Sequence, residues 1–264
     1  AQSLFRFQGY FKHLIEGIRD ATGSSKMLWV SQNHLELGVL YSHGPWKIQS
    51  IVRQSFYFSN DPGDSLFRLS WHNPERNRII PDIYDYFGKD HAYQASFSRI
   101  YAAYQSETIF FGLGRQLVSW GEGRFLNPLN LLSPSRVFVR DLEDIPGTDM
   151  AYFQYFIDAT SFFELVIVPY QRENQKNPGN LKVEDCHFLL RGTSSLKNWD
   201  LMVVSGRHFH STLFGMEANL GLWEASWRFS YVIRYNDQEK DWVTEPGFST
   251  IQAAYWQQDR KSVV

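Results

Sequence analysis

Leu222-Trp-Glu-Ala-Ser-Trp-Arg-Phe-Ser-Tyr-Val-Ile-Arg-Tyr235 decides the fold. Trp223, Ala225, Trp227, Phe229, Tyr231, Ile233 and Tyr235 share one parity. Glu224, Ser226, Arg228, Ser230 and Arg234 share the other, with Leu222 and Val232 as exceptions. A strand sends successive side chains to opposite faces, so the stretch has one apolar and one polar face. At 100° per residue the same residues would scatter around a helix.

The period recurs outward from there. Phe5, Phe7, Phe11 and Ile15 alternate with Arg6, Gln8, Lys12 and Glu16; Trp46, Ile48, Val52, Phe56 and Phe58 alternate with Lys47, Gln49, Arg53 and Ser55. Further strands are expected over 27–42, 92–105, 107–119, 149–158, 161–170, 182–191, 199–205, 209–220 and 248–258, with 107–119 and 182–191 alternating least. The best short helical stretch is Asn127–Leu132, inside a loop. Leu66–Trp71 is also assigned to a loop.

Composition narrows the class. Aromatics are 17% of the 264 residues, yet the hydrophobic fraction is only 43% and mean hydropathy is −0.37. The apolar residues are therefore large and diluted by polar ones. A net charge of −2 leaves no electrostatic footprint for nucleic acid. The single cysteine, Cys186, excludes an internal disulfide framework and any Cys-based zinc site. No apolar run approaches the length of a membrane-spanning helix.

Many of the twelve expected strands exceed the usual length of about 5–6 residues. An aromatic face on long strands meets either a second sheet in a sandwich or lipid in a barrel. Connections at 43–45, 105–107, 158–161 and 221 are tight; those at 59–91, 120–148, 171–181 and 236–247 are long. Tight turns on one rim and long loops on the other are the layout of a bacterial outer-membrane barrel. The short 206–208 connection falls on the rim that should be long. In lipid a sheet must close, because an open edge leaves backbone groups unpaired in hydrocarbon. The expectation is one all-β domain over 1–264, an antiparallel transmembrane β-barrel of about twelve or more strands.

The segment Gly112-Leu-Gly-Arg-Gln-Leu-Val-Ser-Trp-Gly-Glu-Gly-Arg-Phe-Leu-Asn-Pro-Leu-Asn-Leu-Leu-Ser-Pro134 resembles a family of porin-like outer-membrane β-barrels of Gram-negative bacteria. In these a strand ends in Gly-Arg-Gln…Trp-Gly before an Asn-Pro loop. The matching positions are Gly114, Arg115, Gln116, Trp120, Gly121, Asn127 and Pro128. Gly9–Lys12 and Pro146–Asp149 are similar too. The resemblance implies an outer-membrane location, a barrel exposed to lipid, and no particular solute. Such barrels usually end on an aromatic residue, whereas this chain ends Gln257–Val264, so missing C-terminal strands or unusual closure are expected. Ala1-Gln2-Ser3 reads as a mature N-terminus left by signal cleavage.

On this reading the partners are membrane lipid, lipopolysaccharide and small solutes. A homo-oligomer or a periplasmic or lipoprotein partner fits the same class. The expected function is passive passage of small solutes through a polar lumen. A structural conduit for a partner complex, a hydrolase built into the barrel wall and a soluble carbohydrate-binding sandwich are the alternatives.

Candidate site residues come from the loop and the polar parity. The 120–148 loop carries mixed charge and, folded into a lumen, would set a transverse field that filters solutes. Arg115, Glu122 and Arg124 are the constriction candidates; in the competing reading they form a buried ion-pair network that only fixes the loop. Arg99 and Arg228 are wall candidates, with Arg6, Lys12, Arg53 and Arg234 on the same polar parity. A basic wall favours anions unless these groups pair with acids such as Glu16 and Glu224.

His208 and His210 share a strand face but have no third ligand nearby, so no metal is expected. No Gly-x-Ser-x-Gly occurs, and Cys186 and His187 point to opposite faces. Gly112-x-Gly114 lacks the third glycine of a dinucleotide loop, so no cofactor is expected and no enzyme is read from the chain. The nine tryptophans, spread over nearly all strands, are expected in girdles at the bilayer interfaces.

Overall fold

Period-two alternation runs through every long element of the computed structural model. It describes residues 3–19, 27–60, 79–81, 83–88, 91–120, 129, 131–132, 147–169, 186–208, 211–222, 225–236 and 258–260. The strands are β1 (Leu4–Arg19), β2 (Met27–His43), β3 (Trp46–Ser59), β4 (Tyr84–Phe87), β5 (His91–Gln105), β6 (Ile109–Gln116), β7 (Thr148–Phe156), β8 (Phe162–Val168), β9 (His187–Leu196), β10 (Trp199–His208), β11 (Ser211–Leu222), β12 (Ala225–Asn236) and β13 (Gln258–Arg260).

All pairings are antiparallel and join chain neighbours in one sheet, except that β4 lies off the path beside β5. The fold is therefore all-β, an up-and-down sheet. Among the described residues no ladder joins β1 to β13.

The strand map differs from the sequence reading in three places. The 59–91 stretch contains β4, a four-residue strand too short to show a period. The weakly alternating 182–191 stretch gives way to β9, shifted later to His187–Leu196. Of the expected 248–258 strand, only Gln258 at its end is described, opening β13. Leu66–Trp71 lies outside the described residues, as do Asn127, Pro128 and Asn130; the described Leu129, Leu131 and Leu132 are not helical.

Connections alternate as the rim argument expects. Residues 44–45, 106–108, 157–161, 197–198 and 223–224 join strands on one rim. On the opposite rim the strand ends are separated in the chain by 20–26, 60–83, 117–147, 169–186 and 237–257, with 88–90 and 209–210 as the short intervals.

Tight-turn chemistry is local. Gly44 has φ 56° ahead of Pro45, the glycine-first pattern of a two-residue hairpin. The equivalent turn at 197–198 places Lys197 at φ 56°. A side chain there costs about 1–2 kcal/mol, and glycine carries an entropic cost of about 0.5–1. Lys197→Gly is expected to raise stability by about 0.5–1 kcal/mol, read as a shifted urea midpoint in detergent micelles.

The 157–161 turn is held by a carboxylate. Asp158 Oδ1 accepts from Thr160 N at 2.7 Å, Ser161 N at 2.8 Å and Thr160 Oγ1 at 3.0 Å. These bonds favour the ionised form, the Thr160 backbone bond most, and hold Asp158 below its ordinary value. The turn's extra stability is therefore fully present above the unfolded value of about 3.9 and is lost as pH falls through the lower folded value. Carboxyl NMR of the micellar protein should show Asp158 titrating below the ordinary aspartate value of about 3.9, and Asp158→Ala should remove that component.

The two faces of the sheet separate cleanly. In β3, Trp46, Ile48, Phe56 and Phe58 are exposed while Ile51, Ser55 and Tyr57 are buried. The same division holds in β8 and β9, with Phe163, Leu165, Phe188 and Leu190 exposed and Glu164, Val166, His187 and Leu189 buried. Register keeps it continuous from strand to strand: Leu37 opposes Val52, Phe153 opposes Leu165 and Phe214 opposes Ile233.

Aromatics gather toward the ends of this outer face. Trp46 packs edge-on against Tyr104 at 5.1 Å by the tight-turn rim, where Trp199 and Tyr155 are also exposed. Phe56 and Tyr84 flank Tyr93 toward the other rim. Trp120 departs from the girdle expectation, because it is fully buried. Strand periodicity stops at Gln116, so no alternation fixes the direction of its side chain. Trp71, Trp223, Trp242 and Trp256 lie outside the described residues.

The core sits on the inner face. Trp120, Leu129, Leu131 and Leu132, all from the β6–β7 connection, pack against inward residues of β7–β11 such as Val166, Leu189, Val204 and Leu213. Full burial of each such aliphatic group contributes about 1.5–3 kcal/mol. Gly215 makes room for this seat, since a Cβ there would overlap Leu129 Cδ2.

Candidate functional site

Inward parity gathers the charged side chains of separate strands into one wall. Glu36 of β2 opposes Arg53 of β3, and Arg53 Nε donates to Glu36 Oε1 at 2.6 Å. Glu164 of β8 opposes Arg191 of β9 at 2.7 Å. Arg228 of β12 lies 3.7 Å from Glu217 of β11, which also accepts from Ser230 Oγ at 3.3 Å. Opposite charges on adjacent strands are the sheet's counterpart of helical ion pairs.

The wall has two unlike halves. On β7–β11 it is largely apolar and covered by Leu129, Leu131 and Leu132. On β1–β3 and β5 its inward positions carry Gln8, His34, Arg53, Ser55, Gln94 and Arg99. Here Arg99 opposes Ile51, just below a register shift between Ile51 and Val52. Its neighbour on the same face is Tyr101.

His34 Nδ1 and Ser55 Oγ are hydrogen-bonded at 2.8 Å. Both residues are buried, and the His34 ring packs edge-on against Tyr57 at 5.7 Å. No group of three or more His, Cys, Asp or Glu suited to a metal is present among the described residues. His208 sits 4.6 Å from His187, ring centre to ring centre, while His210 lies outside the described residues.

Arg115 is placed unlike the other candidates. It is fully buried at the end of β6. Its Nε donates to Asp149 Oδ1 at 2.7 Å, and Nη2 donates to Asp149 Oδ2 at 3.1 Å. Nη1 donates to the Phe97 carbonyl at 2.8 Å, and Nη2 also reaches the Ile80 carbonyl. Ile80 N in turn donates to Asp149 Oδ2 at 2.8 Å. The guanidinium thus fastens β5, β6, β7 and the 79–81 segment together, with its fork used bidentately.

Two backbone features make that knot. Gly114 has φ 122°, and a Cβ there would overlap the Ile100 carbonyl oxygen, so only glycine fits. Gly147 N donates to Ser98 O at 3.1 Å, which brings the start of β7 to Asp149's side of Arg115.

The structure brings Arg115 and Asp149 together, with Arg115 opposite Ile100 and so next to Arg99 along β5. Arg228 pairs with Glu217. Glu122, Arg124 and Glu224 lie outside the described residues.

Trp120 forms the second anchor of the β6–β7 connection. The Arg191 guanidinium lies 5.6 Å from its ring centre and 5.4 Å from that of Phe162. Glu164 takes Arg191 on one side and the Tyr152 hydroxyl on the other. Sequence reasoning missed Asp149, Glu164, Arg191 and Tyr152 as partners. For Glu164, Arg191 and Tyr152 the available signal was inward parity alone; Asp149 shares the parity of the exposed Phe153 and Tyr155, so alternation did not point to it.

No protein-family model matches the chain, and no curated protein matches it. Among solved structures it is similar to one described as the low pH structure of Pseudomonas putida OprB, at 9% sequence identity and a TM-score of 0.46, over 87% of this chain and 66% of that one. The chain thus spans slightly less than two thirds of that protein's length.

Proposed function

We propose that the chain forms the wall of a β-barrel channel in a bacterial outer membrane, through which small polar solutes diffuse. One observation carries this reading: a single antiparallel sheet exposes large apolar side chains along one face of strand after strand and turns charged and amide side chains to the other. Exposed apolar surface of that extent needs a partner, and lipid fits its continuity and its aromatic ends. A sandwich would require a second sheet over the inner face; what covers that face among the described residues is the 129–132 segment.

The mechanism is diffusion past a fixed polar wall. The seated β6–β7 connection narrows one side of the lumen, and the opposite polar half offers hydrogen-bonding and charged groups to a hydrated solute. Purified protein added to a planar lipid bilayer should give discrete conductance steps, and the heat-modifiable migration of a folded barrel should accompany them. A folded, detergent-extracted protein that gives no steps would overturn the channel.

The hydrolase alternative has one observation in its favour, the Ser55–His34 hydrogen bond. Burial of both side chains keeps a substrate from the hydroxyl, so the channel is the better-supported reading. Ester hydrolysis by the micellar protein that disappears in Ser55→Ala would reverse that preference.

A further inference from the structure

The inner wall does not spread its charges evenly. On the β8–β12 side, Arg191 and Arg228 each face a carboxylate on the neighbouring strand. The β1–β5 side differs. Arg6, Lys12, Lys47, Arg53 and Arg99 all hold inward positions there. Glu36 is committed to Arg53, and Lys47 Nζ donates to a neutral group, Gln105 Oε1, at 2.6 Å. Among the described side chains, Asp85 on the short β4 is the other acid at an inward position.

Arg99 is the central member of this set. It is half-buried, with the buried Ser98 and Ile51 beside it and Tyr101 on its own face. Gln8 and Gly38 continue its row across β1 and β2. Among the described residues no carboxylate pairs with it. A guanidinium stays protonated at any working pH, so this is a permanent positive charge on the polar half of the lumen.

We infer that the channel selects small anions, such as carboxylates or inorganic anions, and that Arg99 is the residue that sets the preference, supported by Arg6 and Lys47. This rests on the channel reading above. The covered, apolar half of the wall directs hydrated ions to the polar half, where Arg99, Arg6 and Lys47 lie. A fixed charge in a narrow, low-dielectric enclosure raises the local concentration of counter-ions.

The test is a reversal-potential measurement in a planar bilayer with potassium chloride at unequal concentrations on the two sides. The wild-type protein should show chloride over potassium permeability. Arg99→Gln should lower that ratio by about tenfold, because a unit charge roughly 6 Å from the ion path in water shifts the anion and the cation by about threefold each, in opposite senses. Arg99→Glu should lower it further, with heat-modifiable migration retained in both variants. Conductance with a potassium preference, or a ratio unmoved by Arg99→Gln in a folded protein, would overturn the inference and leave the channel standing. Absence of conductance from the folded wild-type protein would overturn both.

Discussion

Arg115→Met is expected to destabilise the protein by about 3–5 kcal/mol, because it strands the buried Asp149 carboxylate without its cation. The loss has a second part. The Phe97 and Ile80 carbonyls each lose a charged donor, and Ile80 N keeps only Asp149 to hold the 79–81 segment. Methionine replaces the length of the side chain, so cavity formation is a minor contributor. Urea unfolding in micelles, followed by tryptophan fluorescence, measures the loss. The double variant Arg115→Met, Asp149→Leu removes both charges together and should recover a large part of it. The same pair separates the two roles weighed for Arg115. A residue that lines the pore would change ion selectivity with little change in stability; the bidentate, fully buried geometry predicts the reverse.

Trp120→Ala should have an effect of similar size, about 3–5 kcal/mol for an aromatic removed from a closed core. The consequence for conduction is of greater interest. Trp120 is the point where the β6–β7 connection leaves β6 and meets the inner wall. Its ring covers the Arg191 guanidinium, and a stacked cation of this kind contributes about 0.5–2 kcal/mol beyond area burial. Without the ring, Val118, Leu129, Leu131 and Leu132 remain as described apolar contacts of the connection with this core. Single-channel steps should become larger and noisier than those of the wild type. Steps of unchanged size from a folded variant would mean that the seated segment does not narrow the path.

Much of the architecture was legible because a strand's period is short and local. Residues 222–235 showed two faces without any knowledge of their neighbours, and the observed register keeps Trp227, Phe229 and Ile233 on the face of Leu220, Ala218 and Phe214. β4 was not legible, since four residues of Tyr84–Phe87 hold no period and pair only with one end of β5. Charge pairing lay further out of reach. Arg53 meets Glu36, and Arg228 meets Glu217, through register, which a sequence does not print.

The segment singled out by resemblance shows a different limit. Arg115 and Asp149 both stood in quoted motifs, yet their contact spans 34 positions and depends on the backbone turn at Gly114. Trp120 was assigned to an interface because tryptophan favours such places. Its true surroundings depend on a connection beyond the last alternating residue.

The order of the sheet bears on how the chain reaches its native state. Nearly every strand pairs with its neighbours in sequence, so contact order is low and hairpins can zip one after another with small loop-closure entropy. The β6–β7 connection breaks that locality. Its leucines settle on β11, which is synthesised long after them, and Leu129 finds its place beside Gly215 only once that strand has been added. Kinetically, the sheet is a growing zipper and the seating of these leucines a late event, so the strands can be in place for a time with the inner face still uncovered.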